Sequence, residues 1–225
     1  MKRGIIGCLL SVVMILSSCN SLKNLFTVSD AEAAIRELLS TGTVFGGKAA
    51  TIKGLITKES LISSFFPEEI RKILVTAEGL GFGPEINRFT TTLGNAAATT
   101  AERSVPVFLL GIKRMKIRDA IGMVKNGGTT CTDYLRTAIG DTLRRAIAPV
   151  MDSALEEYHL AGEWNKLVGP VKLLSGNRLN LDMGFLVSGL VTNLMFSKIA
   201  EKEVAIRTKA EERKSALLQK VFRGS

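Results

Sequence analysis

MGFLVSGLVTNLMF, residues 183–196, decides what kind of protein this is. It is the most apolar run in the body of the chain. A helix crossing roughly 30 Å of hydrocarbon needs about 20 such residues. This run has fourteen, and Thr192 and Asn193 lie inside it. It therefore reads as the core helix of a globular domain rather than a membrane span. The helical pattern around it extends from Leu181 to about Arg207. Such a central helix needs partners that are apolar on one face, and the flanking sequence supplies them.

On the C-terminal side an amphipathic helix is expected over Glu211 to Phe222. On the N-terminal side Ser175-Gly176-Asn177 is a loop, and Leu160 to Leu174 is helical. Pro149 is expected to start a helix, because proline fits a first turn and removes a bond from a helix interior. The helix before it runs from a cap at Thr129 or Thr130 to about Ile147. Asn126-Gly127-Gly128 is a turn, preceded by helices over Val107 to Met115 and Ile117 to Lys125. Pro106 breaks or bends a long helix that begins at Pro84. Another runs from Pro67 to Gly79, with Glu68 and Glu69 at the positive end of its dipole. Ser29-Asp30-Ala31-Glu32 reads as a capping box. Behind it Ala31, Ala34, Ile35, Leu38 and Leu39 recur at helical spacing, continuing weakly to Ile56. The glycines in that stretch point to a kink or to close helix packing. No alternating strand pattern appears. The expectation is an all-α fold, a single compact domain of eight to ten helices over residues 29–225.

The first residues read MKRGIIGCLLSVVMILSSCNS. Lys2 and Arg3 precede an apolar run, Gly4 to Leu16, that is too short to span a bilayer and fits a signal peptide. Leu16-Ser17-Ser18-Cys19 resembles the lipobox of bacterial lipoproteins. That resemblance implies cleavage before Cys19, with a diacylglycerol on its sulfur; a plain secretory signal is the alternative. Residues 1–18 are then the signal peptide and 19–28 a lipidated tether. Asn rather than Asp at position 20 leans toward the outer membrane, with the protein facing the periplasm.

The formal net charge is +9, and loss of Lys2 and Arg3 leaves +7 on 225 − 18 = 207 residues. That length suits one domain with a real core. A basic exported protein is drawn to anionic lipid or glycan surfaces. Nucleic acid is not expected as a partner. Of three cysteines, Cys8 would be removed and Cys19 lipidated, which leaves Cys131 alone and points to a buried thiol. One histidine, His159, rules out a multi-histidine metal site, and no cofactor is expected.

Motifs that carry chemistry fail on inspection. Gly42-Thr43-Val44-Phe45-Gly46-Gly47-Lys48-Ala49 nearly matches a phosphate-binding loop, but Ala49 stands where Ser or Thr must hold magnesium, and a helix precedes it. Gly79-Leu80-Gly81-Phe82-Gly83 also follows a helix and reads as a cap and turn. No nucleophile elbow is present, and His159 is paired with no nucleophile by any sequence signal. The acid pairs Glu68-Glu69, Glu156-Glu157 and Glu211-Glu212 sit at helix starts or on charged faces. A hydrolase would need one carboxyl in an apolar pocket. The densest basic cluster is Lys113, Arg114, Lys116 and Arg118, either a solvated face or a contact for anionic headgroups and glycans.

Several dispersed segments resemble one bacterial exported or lipoprotein family, known as domain of unknown function 4197. They are Asn95 with Ala97-Ala98, Asp119-Ala120, Gly127, Thr132-Asp133-Tyr134-Leu135-Arg136, Leu181-Asp182, Ile199-Ala200-Glu201-Lys202-Glu203, Ile206-Arg207 and Leu217 to Phe222. Ala96 and Thr99 replace a charged pair of the family pattern. The resemblance covers roughly Ala33 to Gly224 and implies a helical exported domain, with no reaction attached. It leaves Tyr134, Arg136, Glu203 and Arg207 as candidates for a polar network or a ligand site. Glu203 and Arg207, four apart, can form a simple intrahelical pair. Tyr134 and Arg136 point about 200° apart on a helix. Tyr134 is expected to bury its ring and place its hydroxyl in a polar contact, with Arg136 turned to Asp119, to Glu203 or to an anionic ligand. The functional expectation is a lipid-anchored binding or scaffold protein without enzymatic activity. The alternatives are a carrier of an apolar ligand and a hydrolase of envelope polymers.

Overall fold

The computed structural model describes residues 26–51, 57–64, 66, 68–175 and 183–223. The expected signal peptide, Cys19, Ile52, Ile56, Pro67, Gly176, Asn177, Leu181 and Asp182 lie outside the described residues. Among those described there are ten α-helices and no strand. They are α1 (Val28–Ala50), α2 (Lys58–Ser64), α3 (Glu68–Gly79), α4 (Gly83–Arg103), α5 (Val105–Arg114), α6 (Ala120–Lys125), α7 (Thr130–Glu157), α8 (Leu160–Ser175), α9 (Met183–Thr208) and α10 (Ala216–Phe222).

The apolar run that opened the reading lies in α9, and α9 is the hub. Val191, Met195, Phe196, Ile199 and Ile206 are buried along it. Its two largest interfaces are with α1 and α7. The glycines of α1 serve packing, not a kink, since α1 is one unbroken helix. A Cβ on Gly42 would lie 3.1 Å from the Cα of Ile199, and one on Gly46 would lie 3.3 Å from the Met195 sulfur. The stretch resembling a phosphate loop is thus regular helix pressed on α9. Phe108 meets Phe196 edge to face at 5.6 Å, and Phe89 meets Trp164 at 5.4 Å, which closes the core around α4, α5 and α8. No described helix is long and apolar enough to cross a membrane.

Four boundaries differ from expectation. The capping box is built on Thr27 rather than Ser29: Thr27 Oγ1 accepts from Asp30 N at 3.1 Å, and Asp30 accepts from Thr27 N at 2.8 Å. Lys220 of α10 also reaches the Asp30 carboxylate at 2.9 Å, so a tertiary partner selects between two overlapping boxes. Residues 117–119 are not helical; α6 starts at Ala120, where the Asp119 carboxylate accepts from Gly122 N at 2.8 Å. Pro149 lies inside α7 instead of starting a helix. The buried positions Leu143, Ile147, Met151 and Ala154 keep helical spacing straight through it, and their burial outweighs the lost backbone bond. The C-terminal segment is a 3-10 turn over Ala210–Glu212 and then α10, not one helix from Glu211. The break comes where Arg213 folds back to donate to the carbonyls of Ile206 and Arg207 at the end of α9.

Candidate functional site

Of the residues that carried the resemblance, Gly127, Thr132, Glu203, Arg207 and Phe222 meet at the junction of α6 and α7. This junction is the tight turn Asn126–Thr129, in which Gly127 and Gly128 adopt φ of +68° and +59°. It brings the carbonyl end of α6 and the amide end of α7 side by side. Glu203 and Arg207, one turn apart on α9, fill the gap. Glu203 is fully buried and Arg207 is 4 % exposed.

Each charge meets the helix end of opposite polarity. Glu203 accepts from the amides of Cys131 and Thr132 at 2.9 and 2.8 Å and from the Thr132 hydroxyl at 2.6 Å. Arg207 donates to the carbonyls of Val124 and Met123, both at 2.9 Å. The pair is joined by Arg207 Nε and Nη2 on Glu203 Oε1 at 3.0 and 2.8 Å. The first amides of α7 are therefore all used: Thr130 N bonds Gly127 O, Asp133 N bonds Thr129 O, and Glu203 takes the two between. The expected threonine cap is displaced by this carboxylate. Thr129 turns its hydroxyl to the side chain of Asp133 instead. A buried ion pair that also satisfies two helix termini has its desolvation offset by hydrogen bonds. Phe222 of α10 covers the Arg207 guanidinium, 5.0 Å from ring centroid to Cζ.

Cys131 lies in the same cluster, its sulfur 3.2 Å from Arg207 Nη2. Burial first, and then the negative charge of Glu203, push its thiol far above the ordinary range. It is a buried thiol, not a nucleophile. Glu203 has both carboxylate oxygens engaged, so it offers no free acid or base.

The remaining candidates sit around this clamp. Asp119 caps α6. The ring of Tyr134 packs against the core, and its hydroxyl donates to Lys116 O at 2.7 Å, which ties α7 to the linker before α6. Arg136 is exposed, and its guanidinium lies over the Phe196 ring at 4.7 Å rather than on Asp119 or Glu203. Lys113, Arg114, Lys116 and Arg118 are all exposed. Arg36, which the sequence reading did not single out, fixes the backbone that leads into and through them. It donates to the carbonyls of Ile112, of Lys113 at 3.2 Å and of Met115 at 2.6 Å, closing the C-terminal end of α5. Its only sequence signal is the charge beside buried Ile35, which does not distinguish a tertiary cap from a surface residue.

Two open clefts flank the exposed face of α7. One, of about 400 Å³, lies toward α9 and includes Arg136, Arg144 and Asn193. The other, of about 340 Å³, lies toward the linker and includes Lys116, Arg118 and Tyr134. Sequence reasoning missed Arg144, because its neighbours come from α9 and not from α7. His159 is exposed at the turn between α7 and α8, with φ of 54°. No group of three or more metal-ligating side chains occurs among the described residues.

No curated protein and no solved structure matches the chain. A family model described as protein of unknown function, DUF4197, matches residues 26–223. That span takes in every described helix, and the chain belongs to this family.

Proposed function

We propose that this protein is a lipid-anchored, non-enzymatic binding protein of the bacterial envelope. Its basic segment Lys113, Arg114, Lys116 and Arg118 rests on anionic lipid headgroups. The observation that carries the reading is the placement of this segment by Arg36. Arg36 lies eight residues into α1, about 12 Å along the helix axis from Val28. A chain from Cys19 to Thr27 reaches at most about 30 Å. Acylation at Cys19 therefore holds four exposed cations within reach of the surface that carries the anchor. Each cation close to an anionic leaflet contributes about 1 kcal/mol, and two acyl chains suffice for stable attachment. The Leu16–Cys19 ending supports the anchor, and Asn20 supports the outer membrane, with the domain in the periplasm.

Both alternatives have less in their favour. A carrier needs an enclosed apolar cavity, whereas both clefts on α7 are open and bordered by charged side chains. A hydrolase needs a carboxyl free to exchange a proton, whereas the fully buried Glu203 has both oxygens engaged, and Glu163, whose Oε2 is buried without a partner, is tied through Oε1 to Arg88 at 3.1 Å.

Fatty-acid labelling in cells tests the anchor: wild type incorporates label and Cys19→Ala does not, and label retained by the variant would refute it. Hydrogen exchange tests the surface. With the lipidated chain in vesicles, amides of residues 112–119 should exchange more slowly on anionic than on neutral lipid. The difference should vanish in high salt and in the Lys113→Glu, Arg114→Glu double variant. Equal exchange on both lipids would overturn the reading.

A further inference from the structure

We infer that the cleft between α7 and α9 binds a linear phosphate-bearing chain, held at two points by Arg136 and Arg144. This rests on the reading of the protein as an envelope-facing binder of anions, yet it uses none of the residues assigned to the membrane surface.

The two arginines are built alike. Arg136 lies over Phe196 at 4.7 Å and Arg144 over Phe185 at 4.0 Å. Stacking on a ring fixes the plane of a guanidinium and leaves its N–H edge to bind an oxyanion. Arg144 spends one donor on the Phe185 carbonyl at 3.2 Å. Its Nε is buried with no acceptor, lodged against α9 where a Cβ on Gly189 would stand 3.1 Å from it. A surface arginine avoids that desolvation by swinging into water. Here the close backbone of α9 and the Phe185 ring hold the group at the cleft. Gly140 lies between the two arginines on α7 and adds no side chain to fill the space.

Spacing sets the ligand. The arginines are eight residues apart on α7, about 12 Å along its axis. The rings beneath them are eleven apart on α9, about 16 Å. One small anion cannot touch both in these positions, whereas a chain of phosphates spans them. Arginine forks suit phosphate oxygens. Among the described residues Asp141 is the one carboxylate lining the cleft, and with Asn193 it offers acceptors for hydroxyls between the phosphates. That pattern fits a phosphodiester-linked polyol or glycan. Free inorganic polyphosphate also spans the two arginines but lacks the hydroxyls.

The test is titration calorimetry on the full lipidated chain in neutral-detergent micelles, with orthophosphate, long-chain inorganic polyphosphate and poly(glycerol phosphate). The long chains should bind at least tenfold more tightly than orthophosphate, with poly(glycerol phosphate) the tighter of the two. Arg136→Ala and Arg144→Lys should each weaken chain binding at least fivefold while lowering the melting temperature by no more than about 4 °C, the lysine keeping the charge but losing the fork. Lys113→Glu with Arg114→Glu should leave chain binding unchanged while abolishing the protection on anionic vesicles. Orthophosphate binding as tight as the chains would overturn the inference. So would chain affinity that follows Lys113 and Arg114 instead of Arg136 and Arg144. Tighter binding of inorganic polyphosphate would reject the hydroxyl-bearing ligand.

Discussion

Glu203 and Arg207 show how far a pair of residues can depart from its appearance in sequence. Four apart on a helix, they look like an exposed ion pair worth a few tenths of a kcal/mol. Their partners lie 71 to 84 residues away, and no local pattern reveals them. With Arg207 removed, Glu203 would be a buried charge without its counterion, and Met123 and Val124 would lose their donor. Arg207→Ala should therefore cost about 3–5 kcal/mol, read as a fall in the urea midpoint. Arg136→Ala, which removes only a ring contact at an exposed site, should cost about 0.5–1 kcal/mol. Asp30 gives a third measurable value. The amide of Thr27 first, and then Lys220, hold its carboxyl at about 2, below the ordinary 3.8. A carboxyl depressed in the folded state stabilises the fold above its unfolded value of about 3.9, and that contribution disappears as pH falls toward 2. Titration followed by carboxyl NMR should place Asp30 near 2, and Lys220→Ala should move it upward. A midpoint in the ordinary range in the wild type would show that neither contact forms in solution.

At the scale of elements, the sequence and the structure agree where a helix is decided by its own periodicity. Gly79 ends α3, and α8 runs over the segment expected of it. They part where a distant element decides. Lys220 moves the start of α1, and Arg213 breaks the last helix. The buried stripe through Ile147 and Met151 carries α7 past Pro149. The same distinction separates two glycines that look equivalent in sequence. Gly42 faces the backbone of Ile199, with 3.1 Å left for a Cβ, whereas nothing lies within 4 Å of a Cβ on Gly162 in α8. Gly162→Ala should gain up to about 1 kcal/mol from helix propensity alone. Gly42→Ala should lose about 1–3 kcal/mol, because α9 must move away from α1. Melting temperatures that rise for Gly162→Ala and fall for Gly42→Ala would bear out the role of α9 as a fixed hub; a rise for both would contradict it.

For the molecule as a whole, the reading of residues 183–196 as a core helix and not a membrane span came from the run itself, since hydrophobic length and polar interruptions are local quantities. The clamp and the arginine cleft were not readable in this way, since both are made by α9 meeting chain that precedes it by about forty residues or more. The contact of Asp30 with Lys220, 190 residues apart, carries this further. A chain threaded outward from its first residue delivers α1 long before α9 and α10 exist to receive it. Its amino-terminal half then waits with Ile35, Leu38 and Leu39 unsheltered, and the turn after α6 waits without Glu203. Assembly is a late event, set by the arrival of the final quarter of the polypeptide rather than by growth of a stable kernel. A nascent chain stopped before residue 199 should accordingly expose the Cys131 thiol to an alkylating reagent, and the completed chain should hide it. Premature termination would leave no partly working remnant, only an open chain for proteases to clear.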